Sequence, residues 1–81
     1  MGRKNKRAAV EEWTALADGA AGDAREAGRR ERHHRQRLQS GASTDPQADR
    51  YFAREAGEDR KVAEANERDF RAAAKPRRWW Q

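Results

Sequence analysis

Large apolar side chains are too few in this chain to build an ordinary globular core. Only eleven of its 81 residues carry one, and seventeen others are alanine. The eleven are Met1, Val10, Trp13, Leu16, Leu38, Tyr51, Phe52, Val62, Phe70, Trp79 and Trp80. Ordering a chain of this length costs on the order of 120 kcal/mol, and eleven buried side chains at about 2–3 kcal/mol each recover well under half of that. Two interpretations follow, a partly disordered chain or helices that become ordered against a partner, and we expect a marginal core that a partner orders.

Charge is the second organising pattern. Five blocks alternate in sign, with a net +4 over residues 1–10, −4 over 11–24, +4 over 25–39, −3 over 40–70 and +4 over 71–81. The net charge of +5 and a pI near 10.4 favour a polyanionic partner: nucleic acid, an anionic membrane surface or an acidic protein face. The absence of cysteine excludes disulfides, thiolate metal sites and cysteine nucleophiles.

The composition predicts an all-α fold, because Ala, Arg, Glu, Lys and Gln dominate and the β-branched residues are two Val and two Thr. We expect a single small helical unit, residues 1–81, with a break at residues 40–44 and flexible basic tails at residues 1–7 and 75–81. The predicted helices, two or three in number, run over about 7–18, 23–39 and 45–74. Gly19 and Gly22 are expected to end or loosen the first helix.

Apolar stripes along these helices are narrow. In the first helix the stripe is Val10, Trp13, Leu16, Ala17 and Ala20, and in the second it is Ala24, Ala27, Glu31, His34 and Leu38. In the third it is Phe52, Ala56, Asp59, Ala63, Asn66 and Phe70, which alternates spacings of four and three but has polar residues at two of six places. The expected contact set is Trp13, Leu16, Tyr51, Phe52 and Phe70.

Capping signals bound the last helix more sharply than the others. Thr44 is the expected N-cap, with Pro46 near the helix start and Gln47 completing a capping box. At the other end Lys75 lies before Pro76, which stops the helix.

The densest functional signal is residues 29–37, in which five of nine residues are arginine. On a helix these guanidinium groups surround most sides, which suits a helix lying in a nucleic-acid groove. Over about ten residues in mid-chain, the segment resembles the arginine-rich RNA-binding helix of bacteriophage transcription antiterminators, and this resemblance implies RNA binding. The candidate nucleic-acid contacts are Arg3, Lys4, Lys6, Arg7, Arg25, Arg29, Arg30, Arg32, Arg35 and Arg37. The alternative is a solvated or protein-facing basic surface that the neighbouring acidic blocks neutralise.

The C-terminal segment places two arginines beside two indoles. Arg77, Arg78, Trp79 and Trp80 are the candidate partner anchor, since tryptophan and arginine dominate interface hot spots. Base stacking, interfacial membrane contact and folding back to complete the core are the alternatives.

Catalysis and metal binding find little support in the sequence. His33 and His34 are adjacent and point about 100° apart on a helix, so they cannot chelate one metal together. The chain also lacks the volume to enclose a pocket that would shift carboxylate pKa values. We expect no catalytic residue, no metal, no cofactor and no small-molecule substrate. No apolar run suggests a transmembrane segment, and the expected location is cytoplasmic, or within a particle assembled in the cytoplasm.

Our leading hypothesis is therefore a non-enzymatic basic helical protein that binds RNA or DNA through an arginine-rich helix. The alternative is a small structural or adaptor subunit of a large protein assembly, such as a viral particle, anchored by Trp79 and Trp80. A minor alternative is a ribosomally made precursor peptide with a C-terminal Trp core.

Overall fold

Two long helices make up the protein. The computed structural model describes residues 3–75, and their side chains from residue 7 onward. Helix α1 spans Arg3–Ser40 and helix α2 spans Pro46–Ala74, and no strand occurs in this part of the chain. The two helices pack antiparallel along their lengths, so that Trp13 stacks on Phe70 at the open end of the hairpin. The all-α prediction is confirmed, and of the two or three helices that we expected, the described residues form two.

The two helices expected within residues 7–39 are one continuous helix. Gly19 and Gly22 lie inside α1 with no interruption. A mid-helix glycine costs about 1 kcal/mol relative to alanine, and the packing of Ala17, Ala20 and Ala21 against α2 offsets that cost. The expected helix end at these glycines is therefore wrong.

The connection and the end of α2 follow the capping signals closely. Gly41, directly after α1, has φ +74, the left-handed conformation that glycine adopts most readily after a helix end. The N-cap of α2 is Asp45 rather than the expected Thr44: its carboxylate accepts a hydrogen bond of 3.2 Å from the Ala48 N–H, and Pro46 takes the first helical position. Lys75 is extended, with ψ 132, because the residue before a proline disfavours the helical region.

A seam of small residues joins the helices. Its positions recur at alternating spacings of three and four residues, and all of them are buried or half-buried. On α1 they are Ala17, Ala20, Ala24, Ala27, Glu31, His34 and Leu38; on α2 they are Asp49, Ala53, Ala56, Arg60, Ala63, Glu67, Phe70 and Ala74. The buried apolar residues among those described are all alanines, so the helix axes can approach at the short end of the usual 8–10 Å range.

The register predicted for α2 is partly wrong. Ala56, Ala63 and Phe70 lie on the seam as predicted, whereas Phe52, Asp59 and Asn66 are exposed. The predicted contact set is also partly wrong: Trp13 stacks on Phe70 as predicted, whereas Leu16, Tyr51 and Phe52 remain 49%, 55% and 50% exposed. The sequence pattern gave weight to the largest apolar residues, but alanines allow closer packing of the two backbones.

The resulting molecule is a rod. Its radius of gyration is 18.2 Å, against about 12 Å for a compact domain of this length, and its extents are 59 × 22 × 15 Å. Neither helix, within the residues described, is long and apolar enough to cross a membrane.

Candidate nucleic-acid interface

The seam divides the remaining surface of the hairpin into two long flanks. One flank carries three adjoining shallow grooves, linked by side chains that line two grooves each: Arg32, Arg35 and Arg60. We call the cations that line these grooves the basic flank. They are Arg25, Arg29, Arg32 and Arg35 from α1, and Arg54, Arg60 and Lys61 from α2. Residues that are 29 positions apart in sequence, such as Arg32 and Lys61, thus contribute to one surface.

Five cations of the basic flank are uncompensated. Arg25, Arg29, Arg32, Arg54 and Lys61 are exposed and make no ion pair with any other residue of the described chain. Each therefore keeps its full charge and its hydrogen-bond donors for an outside partner.

The acids along the basic flank are mostly engaged already. Glu31 accepts from Arg60 Nε and pairs with Arg35 Nη2, each at 3.0 Å, and Glu64 accepts from Arg60 Nη1 at 2.9 Å. The pKa of Arg60 is raised by its hydrogen bond to Glu64 and then by that to Glu31. Glu67 accepts from Arg71, and Glu58 lines a groove without an ion pair within residues 7–75. Seven cations and four carboxylates line these grooves, so the net charge of this flank is positive.

Small residues form the floor of the main groove. Ala21, Ala24 and Gly28 lie between the cations of α1 and Arg60 of α2, in a groove of about 420 Å³. A Cβ at Gly28 would lie 3.5 Å from both the Arg32 and Arg60 side chains. The Arg32 and Arg60 side chains therefore both reach the floor of the groove at Gly28.

The opposite flank is acidic. Asp23, Glu26 and Asp59 line its groove together with Arg30, which pairs with Glu26 at 3.3 Å and with Asp59 at 3.7 Å. Arg30 is two positions from Arg32 along the chain, but its charge is neutralised within the hairpin.

The closed end of the hairpin is fixed by one buried carboxylate. Asp49 accepts hydrogen bonds from the Ser43 hydroxyl, from His34 Nδ1 at 2.7 Å and from Arg37 Nε at 3.4 Å. The bonds from Ser43 and His34 lower the pKa of Asp49 to about 2, against the opposing effect of burial. Because the serine donates to the aspartate and not to the histidine, these three residues do not form a nucleophile and base pair.

The residues predicted as nucleic-acid contacts fall into three groups. Arg25, Arg29, Arg32 and Arg35 lie on the basic flank, and Arg7 is exposed on α1. Arg30 and Arg37 are ion-paired away from it, with Asp59 and Asp49. Arg3, Lys4 and Lys6 begin α1, and their side chains lie outside the described part, as do Arg77, Arg78, Trp79 and Trp80 altogether.

Residues 29–37 are not free on all sides. Glu31 and His34 face α2 on the seam, so the segment has one covered face and cannot be surrounded by phosphates as expected of an isolated helix.

Sequence reasoning missed the contribution of α2. The block of residues 40–70 has a net charge of −3, although it contains Arg54, Arg60 and Lys61. Because we considered the charge of whole blocks, these three cations were not recognised as candidates. The alanine spacing at 53, 56 and 63 was the signal that could have placed them beside the seam.

Two further observations bear on the site. No group of three side chains suited to metal binding occurs among the described residues. Comparisons with protein families, with curated proteins and with solved structures find no significant match to this chain.

Proposed function

We propose that this protein is a non-enzymatic helical hairpin that binds nucleic acid through the basic flank, by contacts to phosphate groups. The observation that carries the proposal is the convergence of Arg25, Arg29, Arg32, Arg54 and Lys61, all exposed and uncompensated within the described chain, on one side of a rigid rod. Guanidinium and ammonium groups in this state bind phosphate with release of condensed counterions.

The separation of the two flanks strengthens the proposal. Arginine that serves only the fold is expected to sit beside a carboxylate, as Arg30, Arg37 and Arg71 do. The five uncompensated cations have no such role in the hairpin. They repel one another slightly in the free protein, and an anionic ligand would relieve that repulsion.

A matched pair of variants tests the proposal. Arg32→Ala and Arg30→Ala remove the same charge two residues apart on one helix, but only Arg32 belongs to the basic flank. We expect Arg32→Ala to weaken binding of a labelled 20-nucleotide probe about three- to tenfold at 100 mM salt, and Arg30→Ala to weaken it less than twofold. The measurement is fluorescence anisotropy, with circular dichroism confirming equal helix content. Equal losses from both variants would show that net charge, not the basic flank, governs binding.

A second function, as a subunit of a larger protein assembly, is favoured by one observation. Six large apolar side chains are at least 37% exposed, which is unusual where so few exist; they are Val10, Trp13, Leu16, Tyr51, Phe52 and Val62. Recovery of the tagged protein from its source, with and without nuclease, separates the two. Companion proteins that survive nuclease treatment would support assembly, and companions lost with it would support nucleic-acid binding.

A further inference from the structure

We infer that the basic flank binds the backbone of double-stranded nucleic acid and does not read its base sequence. This inference rests on the proposed function and specifies its substrate class. Three features of the described hairpin carry it: the width of the rod, the residue types that line the grooves, and the spacing of the uncompensated cations.

The rod is too wide to enter a groove. Its two shorter extents are 22 and 15 Å, whereas the DNA major groove is about 12 Å wide and admits one helix or a two-stranded ribbon. The basic flank is built from both helices, which the alanine seam holds together, so neither helix can enter a groove alone while presenting all five cations. Contact with a duplex is thereby confined to phosphate and sugar, which carry no direct sequence information.

Among the described residues, no aromatic side chain lines the grooves of the basic flank. Proteins that bind single strands without sequence preference stack bases on aromatic rings, at about 1–3 kcal/mol per base. Here the described rings lie elsewhere: Trp13 stacks on Phe70 at the open end, and Phe52 contacts Tyr51 and His34 near the closed end. A single strand would lose its flexibility on this flank without gaining any stacking on the rings of residues 7–75.

The cations form two short rows that suit a dense array of phosphates. Arg25, Arg29 and Arg32 span eight residues of α1, and Arg54 and Lys61 span eight residues of α2, so each row is about 10 Å long. A duplex presents one negative charge per about 1.7 Å of its axis, and a single strand about half that density. The rigid rows therefore meet more phosphates on a duplex, without an ordering cost for the ligand.

The inference predicts how steeply binding weakens with salt. Five neutralised phosphates predict a slope of log K against log[salt] of about −4 to −5 on duplex DNA, at about −0.9 per contact. Removing one cation from each row, with Arg32→Ala and Arg54→Ala together, should flatten the slope by about two units. Neither residue is ion-paired within residues 7–75, so the double variant should remain folded.

The test measures binding of the full chain to four fluorescent 20-mers: duplex DNA, duplex RNA, and one single strand of each. Two additional duplexes of unrelated sequence test whether binding depends on base sequence. The salt concentration is varied from 50 to 200 mM. We expect at least one duplex type to bind tenfold or more tightly than the single strands, unrelated sequences to agree within threefold, and the slope change above. The control Arg30→Ala should change the slope by less than half a unit.

The possible outcomes distinguish failure of the duplex inference from failure of the proposed function. Single strands bound as tightly as duplexes would overturn the duplex inference and leave the proposed function standing. Discrimination of more than tenfold between unrelated duplexes would overturn backbone-only contact. Failure to bind any of the probes at 50 mM salt would overturn the proposed function as well.

Discussion

Gly57 is the position at which the close packing of the hairpin can be tested most directly. A methyl carbon built there would lie 2.5 Å from Glu31 Oε2 and 3.3 Å from Glu31 Cδ. The carboxylate cannot move aside freely, because Arg35 and Arg60 hold its two oxygens at 3.0 Å each and the residue is only 8% exposed. Gly19, by contrast, has no atom within 4 Å of the corresponding position.

These two glycines should respond to alanine with opposite signs. Gly→Ala in a helix interior stabilises by about 0.8–1 kcal/mol, which for a chain of this size raises Tm by roughly 4–8 °C, and we expect that gain for Gly19→Ala. Gly57→Ala has the same propensity gain but forces a methyl group into a filled space, at a cost of about 1–3 kcal/mol. We therefore expect Gly57→Ala to lower the free energy of unfolding by up to about 2 kcal/mol, and to lower Tm.

The assay is thermal and urea unfolding followed by circular dichroism at 222 nm. In a Glu31→Ala background the obstacle is absent, so Gly57→Ala should there stabilise as much as Gly19→Ala does. If Gly57→Ala raises Tm in the wild-type background by as much as Gly19→Ala, the close approach of the helices at this point is wrong.

Two further predictions concern the closed end and the seam. Because the pKa of Asp49 is about 2 in the folded protein against an ordinary 3.8, its contribution to stability is complete above about pH 5 and is lost as the pH falls from about 4 through 2. The Tm difference between wild type and Asp49→Asn should therefore shrink over that range, and a constant difference would contradict the assignment. Ala27→Leu should lower the free energy of unfolding by about 1–3 kcal/mol, because the larger side chain overpacks the seam. Ala15→Leu on the exposed face should change it little. Equal urea midpoints for the two variants would place Ala27 outside the seam.

The sequence predicted helix content and the break between the helices well, because both depend on local chemistry. Residues 40–44 and the Lys75–Pro76 junction contain strong signals, and α1 ends and α2 begins and ends within a residue or two of them. Gly19 and Gly22 misled the prediction because their local cost is smaller than the gain from packing against a helix that lies 30 to 50 residues away along the chain.

The candidate site was predictable only on α1. The arginines at 25, 29, 32 and 35 stand out in the sequence, but whether an arginine faces a carboxylate depends on the antiparallel pairing. Arg30 differs from Arg32 in having Glu26 four residues before it and Asp59 beside it on α2, and only the first of these partners can be read from the sequence. Assigning α2 its seam from the alanines instead of from Phe52 would have placed Arg54 and Lys61 beside α1.

The alignment of the two helices raises a separate question, because a row of alanines repeated every three or four residues looks nearly the same after a slip of seven residues. Glu31 removes that ambiguity. A slip of one repeat would bring Arg50 or Glu64 to the place of Gly57, where the space needed by the Glu31 carboxylate would be filled by a long side chain. The glycine opposite buried Glu31 thus favours one alignment of an otherwise repetitive interface, as does the bonding of buried Asp49 to His34, and that alignment decides which cations of α2 lie beside those of α1.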